Sequence, residues 1–179
     1  IGYQRVLEAV VRLAAPQPEM RVLDVGTGTG NLAAAFAAVG CEVWGTDFSP
    51  QMLARARTKL PQVRFIQSDF RHGWPAGLYG AFDRIVSAYV FHHVELPDKV
   101  RLSLELASHL APQGKLVLAD LAFPNRSDRD AVREMVGADW EEEYYWLADE
   151  ALAAYQQVNL RARFLPISIC AGVFEVQPA

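Results

Sequence analysis

Three glycines and two acids mark where this chain could do chemistry. In Val22-Leu23-Asp24-Val25-Gly26-Thr27-Gly28-Thr29-Gly30-Asn31-Leu32, an apolar run gives way to a glycine-rich turn and then to a helix start. Such a turn lets the backbone approach a small ligand closely and aims helix N-terminal N–H groups at it. A second short run, Val43-Trp44-Gly45-Thr46-Asp47, ends in an acid 17 positions past Gly30. In nucleotide-binding α/β folds an acid roughly 20 residues beyond the glycine turn takes the ribose hydroxyls. Asp24 lies two positions before the first glycine. A carboxylate there repels a diphosphate but pairs with an ammonium group. The pattern therefore asks for an adenosine-containing ligand with an ammonium and no phosphate, a description that S-adenosylmethionine meets. The competing reading is an NAD-dependent oxidoreductase, whose G-x-G-x-x-G fingerprint would need a third glycine where this chain has Asn31.

The elements that position these residues follow from periodicity and breakers. Leu7, Val10, Val11 and Ala14 recur at helical spacing over residues 3–15, and Pro16 and Pro18 end that helix. Strands are expected at 21–25, 42–46, 63–67, 82–88 and 115–120, separated by helices at 29–39, from Pro50 to about Leu60, and after Pro97. Ser49-Pro50 is a helix start, with an N-cap hydroxyl before proline at the first helical position. Residues 71–81 read as a loop with room for one short helix, and Pro112-Gln113-Gly114 as a turn. Beyond residue 120 the pattern predicts a polar loop at 123–130 and one or two helices over 131–155. Two final strands follow, at 161–165 and 171–176. Five strand–helix alternations require a parallel sheet covered on both faces.

Composition narrows the setting. At 179 residues the chain fits one domain, taken as 1–179, with enough length to bury a core. No apolar run approaches the ~18 residues of a membrane span. A net charge of −4 without a Lys/Arg run argues against a nucleic-acid partner, which requires a basic surface. Cys41 and Cys170 sit in no metal-ligand spacing, so no metal site is expected; two such thiols suit a reducing cytoplasm. The chain starts at Ile1 without a signal-like segment, so the natural N-terminus is expected to be processed or to lie upstream.

Together these segments resemble class I S-adenosylmethionine-dependent methyltransferases. Asp24-Val-Gly-Thr-Gly-Thr-Gly30 is similar to the first motif of that family, and Asp47 matches its ribose-binding acid. Gln67-Ser68-Asp69-Phe70 matches an adenine-edge motif, and Ser87-Ala-Tyr-Val-Phe-His-His-Val94 the segment after strand four. Gly114–Asp120 is similar to strand five, and Phe91-His92-His93 with Glu143-Tyr144-Tyr145 resembles a group of small bacterial methyltransferases (YrrT-like). The resemblance implies a Rossmann-like, doubly wound α/β sheet of about seven strands in the order 3-2-1-4-5-7-6, the last strand antiparallel. It also implies an N-terminal segment that helps to close the pocket.

The resemblance assigns roles residue by residue. Asp24, Gly26, Thr27, Gly28, Gly30 and Asp47 are expected to hold the cofactor. Phe48 and Met52 would flank adenine, Asp69 would reach its amino group, and Phe70 would form a wall. Ser87 and Tyr89 would line the methionine end. His92 and His93 are candidate catalytic bases, because histidine titrates near neutrality; otherwise they are a structural pair. Trp140, Tyr144, Tyr145 and Trp146 would form an acceptor pocket or a core stripe, and Glu141–Glu143 a solvated helix face. The expected reaction is in-line methyl transfer to a small molecule. A non-catalytic cofactor-binding module, or methylation of RNA or protein, remains the alternative.

Overall fold

A computed structural model describes residues 2–179. Its elements are α1 (Tyr3–Ala14), β1 (Arg21–Val25), α2 (Asn31–Val39), β2 (Glu42–Asp47), α3 (Pro50–Lys59), β3 (Arg64–Gln67), β4 (Phe82–Ala88), α4 (Leu96–Ser108), β5 (Leu110–Phe123), α5 (Arg126–Val136), β6 (Trp146–Leu147), α6 (Ala148–Gln157), β7 (Leu160–Pro166) and β8 (Ala171–Pro178). Single 3₁₀ turns cover Phe70–His72, Phe91–His93 and Gly137–Asp139.

The main sheet runs β3-β2-β1-β4-β5-β8-β7, with the two-residue β6 pairing to β5 beside it. β8 is antiparallel to both of its neighbours, and the other pairings are parallel. This is the expected Rossmann-like order once β6 is counted, so that the final hairpin becomes β7 and β8. The short loop between them is possible because antiparallel neighbours need no crossover.

Alternation along the strands divides the core into two layers. Leu23, Val25, Ile85, Leu116, Leu118 and Phe174 point to one face, where Leu102 and Leu106 of α4 and Tyr155 of α6 pack. Val22, Val86, Val117 and Val173 point to the other, covered by Val6 and Val10 of α1 and Phe36 of α2. The central strands are apolar on both faces because both are covered.

Three expectations about secondary structure are corrected, all beyond residue 107. Pro112-Gln113-Gly114 does not interrupt β5: Gln113 adopts φ 64°, and the ladder resumes across an irregularity between Phe82 and Arg84. The expected loop at 123–130 contains the start of α5, because the Asn125 side chain caps it by accepting from the Asp128 N–H at 3.0 Å. The helices expected over 131–155 are found as the end of α5 and most of α6, but residues 140–145 between them have no regular structure and Trp146–Leu147 form β6. Trp146 and Leu147 are buried against β5, a tertiary attachment that outweighs local propensity.

Candidate active site

The glycine turn follows β1, the strand flanked by both β2 and β4, where the chain reverses its order of strand addition. Ligands of open α/β sheets bind outside the carboxyl ends of the strands at such a point. A cleft of about 680 Å³ opens there, lined by Asp24, Gly26, Thr27, Gly28, Asp47, Phe48, Met52, Asp69, Phe70 and Tyr89, with Tyr3 and Leu7 of α1 across the opening.

Backbone geometry shapes the floor. Gly26, Gly28 and Gly30 have φ of 70°, 56° and 78°, the left-handed region that side chains rarely enter. A Cβ on Gly26 would lie 2.2 Å from Val90 Cγ2, whereas one on Gly28 would meet nothing within 4 Å. Gly26 is therefore needed for packing, and Gly28 for bringing bare backbone to the open cleft.

The two acids tie this floor together. Asp47 Oδ2 accepts from the Gly28 N–H and Oδ1 from the Ser49 N–H, both at 2.8 Å. Each oxygen keeps a further lone pair for a ligand hydroxyl. Ser49 itself caps α3, accepting from the Met52 N–H at 3.3 Å, so Asp47 is not needed for that role. Asp24 Oδ2 accepts from the Thr27 hydroxyl at 2.7 Å and the Ala33 N–H at 3.1 Å. Asp24 thus braces α2 with one oxygen while it lines the cleft. Burial pushes its pKa up to about 7, against the lowering effect of those two bonds. A buried carboxyl held near neutrality is ready to ionise when a cation arrives.

The adenine-side candidates divide. Phe48, 67% exposed, and Met52, 40% exposed, stand uncovered at the cleft mouth, an arrangement that leaves apolar area for a ring to cover. Phe70 lines the cleft and packs on Phe91 at 5.1 Å. Asp69 lines it too, but its carboxylate is held by the Arg71 guanidinium, at 2.6 Å for the shortest contact. The Arg71 hydrogen bond holds the Asp69 pKa below the usual carboxylate range.

Of the two residues expected at the methionine end, one is misplaced. Ser87 is buried and donates its hydroxyl to the Val25 carbonyl at 2.7 Å, so it does not line the cleft. Its register opposite Val25 in the β1–β4 ladder spends that group inside the sheet. Tyr89, two residues on, does face the cleft. It adopts φ 60° and stacks on Tyr3 with centroids 5.6 Å apart. A left-handed tyrosine at a strand end is a strained conformation of the kind that clusters at functional sites.

The histidines lie on the 3₁₀ turn after β4. His93 is mostly exposed and lines the cleft. His92 turns inward, where its Nδ1 sits 2.6 Å from Asp120 Oδ1. Burial alone would lower the His92 pKa, but the hydrogen bond and charge of Asp120 outweigh it and raise the value. Asp120 is itself fixed by the Leu121 N–H at 2.8 Å and the Trp146 indole N–H at 3.3 Å.

The non-helical segment 140–147 completes this end. The Tyr144 N–H donates to the His92 carbonyl at 3.1 Å, and the buried Lys99 ammonium donates to the Tyr144 carbonyl. Lys99 also lies 4.5 Å from the Trp146 ring centroid, and burial pushes its pKa down to about 8. Glu143 consequently stands beside His93, at 4.0 Å, and is not part of a solvated helix face. Of the aromatic run, Trp146 is core, Trp140 and Tyr145 pack on Phe123, and only Tyr144 is exposed. Asp120, Lys99 and Tyr3 were not anticipated as site residues. An acid at the carboxyl end of β5 was a signal available in the sequence for Asp120.

A model of the methyltransferase domain matches residues 22–114, just over half the chain. The chain belongs to that methyltransferase family. An uncharacterized methyltransferase of Geobacillus kaustophilus is 31% identical over 172 residues, covering 91% of this methyltransferase and 77% of the relative. The uncharacterized methyltransferase YrrT of Bacillus subtilis is 32% identical over 150 residues, covering 83% of this chain but 66% of its own. The methyltransferase therefore spans about two thirds to three quarters of these relatives. Its fold matches that of magnesium protoporphyrin IX methyltransferase from Synechocystis, a structure with bound SAH. The TM-score is 0.78 at 21% identity, over 98% of this chain and 83% of that one. No described helix is long and apolar enough to cross a membrane.

Proposed function

We propose that this methyltransferase transfers a methyl group from S-adenosylmethionine to a small molecule by direct in-line displacement, in the cytoplasm. One observation carries the reading: the glycine turn is bracketed by the carboxylates of Asp24 and Asp47. Asp47 would accept the ribose diol, and Asp24 would pair with the ammonium of the methionine part. Phe48 and Met52 would cover adenine, and Phe70 would wall it. Asp69, already engaged by Arg71, still has lone pairs for the adenine amino group. Tyr3, Leu7 and Tyr89 would enclose the methionine end.

When bound, the cofactor supplies a sulfonium-activated methyl carbon. The protein's task is then chiefly to hold the acceptor in line, which alone contributes about 7–11 kcal/mol. His93, with His92 oriented by Asp120 behind it, offers imidazole nitrogens to the acceptor's proton on this side of the cleft. The net charge of −4 and a cleft of about 680 Å³ support a small acceptor over a nucleic acid. Free Cys41 and Cys170 suit a reducing compartment.

Calorimetric titration with S-adenosylmethionine, S-adenosylhomocysteine and NADH tests the cofactor. Binding of the two sulfur ligands, lost in Asp47→Ala, is expected; binding of NADH alone overturns the reading. An acceptor screen that follows S-adenosylhomocysteine release then tests the substrate class.

A further inference from the structure

We infer that His92, His93 and Glu143 form a binding site for a divalent transition-metal ion of the zinc class, at the acceptor side of the cleft. The inference deepens the methyl-transfer reading and rests on it for the site's purpose, though not for the binding itself. One ligand atom from each of the three side chains lies within 4.8 Å of the others. The His92 and His93 rings stand 4.1 Å apart at 56°, and His93 Nδ1 is 4.0 Å from Glu143 Oε2. A metal with bonds of about 2.0–2.2 Å to nitrogen and carboxylate oxygen would draw such a group together with small side-chain rotations.

The surroundings are those of a metal site. His92 Nδ1 is taken by Asp120, which leaves Nε2 as the ring's remaining donor atom. A ligating histidine commonly has its second nitrogen bonded to a carboxylate, which fixes the ring and strengthens it as a ligand. Asp120 is 1% exposed and anchored by Leu121 and Trp146, so this support is rigid. Glu143 is brought into place by backbone. The Tyr144 N–H donates to the His92 carbonyl, and Lys99 holds the Tyr144 carbonyl. These contacts lock the glutamate's segment onto the histidine turn.

The donor set decides the class of metal. Two imidazoles and one carboxylate suit zinc, manganese, iron or cobalt; magnesium and calcium prefer all-oxygen shells. Three protein ligands leave coordination positions open, the mark of a catalytic site rather than a closed structural one. His93 lines the cleft, so those positions lie where the acceptor would enter. A hydroxyl ligated there would release its proton to bulk water more easily, and the histidines would then serve as ligands instead of as bases. This favours an acceptor that presents an oxygen nucleophile.

Chelator-treated protein would be titrated with Zn²⁺ by calorimetry and with Co²⁺ by visible absorption. The expected result is one ion per chain, with Co²⁺ bands that differ from those of the hydrated ion. Affinity should fall at least tenfold in His93→Asn and in Glu143→Gln, both at partly exposed positions that should fold normally. Asp120→Asn should weaken binding about 10–100-fold with the ligands intact. Failure of either ion to bind, or binding unchanged in His93→Asn and Glu143→Gln, overturns the site. S-adenosylmethionine titrated in parallel separates the two readings: intact cofactor binding without metal binding removes only the metal, and metal binding without cofactor binding removes only the methyl-transfer assignment.

Discussion

The two ends of the cleft are built differently. At the end proposed for the cofactor, β1, the glycine turn and β2 bring backbone N–H groups and two carboxylates together within 24 consecutive residues, Asp24 to Asp47. At the end proposed for the acceptor, His92, Lys99, Asp120, Glu143 and Trp146 come from four separate segments and are joined by long-range side-chain contacts. The first end is a local motif. The second is an assembly whose chemistry depends on how the chain beyond β5 packs.

The sharpest test of that contrast is Asp47→Ala. It removes a carboxylate placed for two diol bonds, each worth about 1.5–3 kcal/mol when charge-assisted, so cofactor affinity should fall a hundredfold or more by calorimetry. The fold should persist, as judged by circular dichroism. Next is His93→Asn, which should lower turnover more than tenfold, in a methyl-transfer assay, while the cofactor Kd stays unchanged. A matching loss of cofactor affinity would show that the two ends are not separable.

Asp24→Asn gives a smaller effect that depends on pH. The carboxyl's folded pKa of about 7 lies above its ordinary value of 3.8. Between these values the folded protein holds a proton that the unfolded chain has released, so this group's contribution to stability declines as pH rises from 3.8 to 7. The cofactor-free asparagine variant should thus melt higher than the parent above pH 7. Its cofactor affinity should be about tenfold weaker at pH 8 and closer to the parent's at pH 6, where the parent is largely uncharged. A variant with unchanged affinity at pH 8 would remove the ammonium pairing. The least effect belongs to Phe48→Ala, which loses one exposed ring against adenine. A few-fold weakening is expected, at about 0.5–1.5 kcal/mol for such a ring pair.

The same division governs what could be read in advance. β1 to β4 and the helices between them were legible because apolar periodicity, glycine and proline act over a few residues. Asp24 and Asp47 were legible because their spacing from the turn is set by one β–α–β unit. Ser87 was misread, since only the register opposite Val25 shows that its hydroxyl is spent within the sheet. The segment 140–147 was misread because its acids and aromatics favour no single local structure until Trp146 is buried beside β5.

The sequence by itself determined the strand–helix alternation, the glycine turn and the acids that flank it, because these depend on short-range sterics and apolar periodicity; the strand order came from the family resemblance, since pairings such as β1 with β4 and β5 with β8 join distant segments. Tertiary structure alone decided that Asp120 orients His92, that Lys99 pins Tyr144, and that Glu143 faces the histidines. Those pairings span between 28 and 51 residues of chain, and no local propensity encodes a contact at that distance; β5 pairing with β4 brings Asp120 beside the histidine turn, and β6 pairing with β5 seats the segment that carries Glu143 and Tyr144.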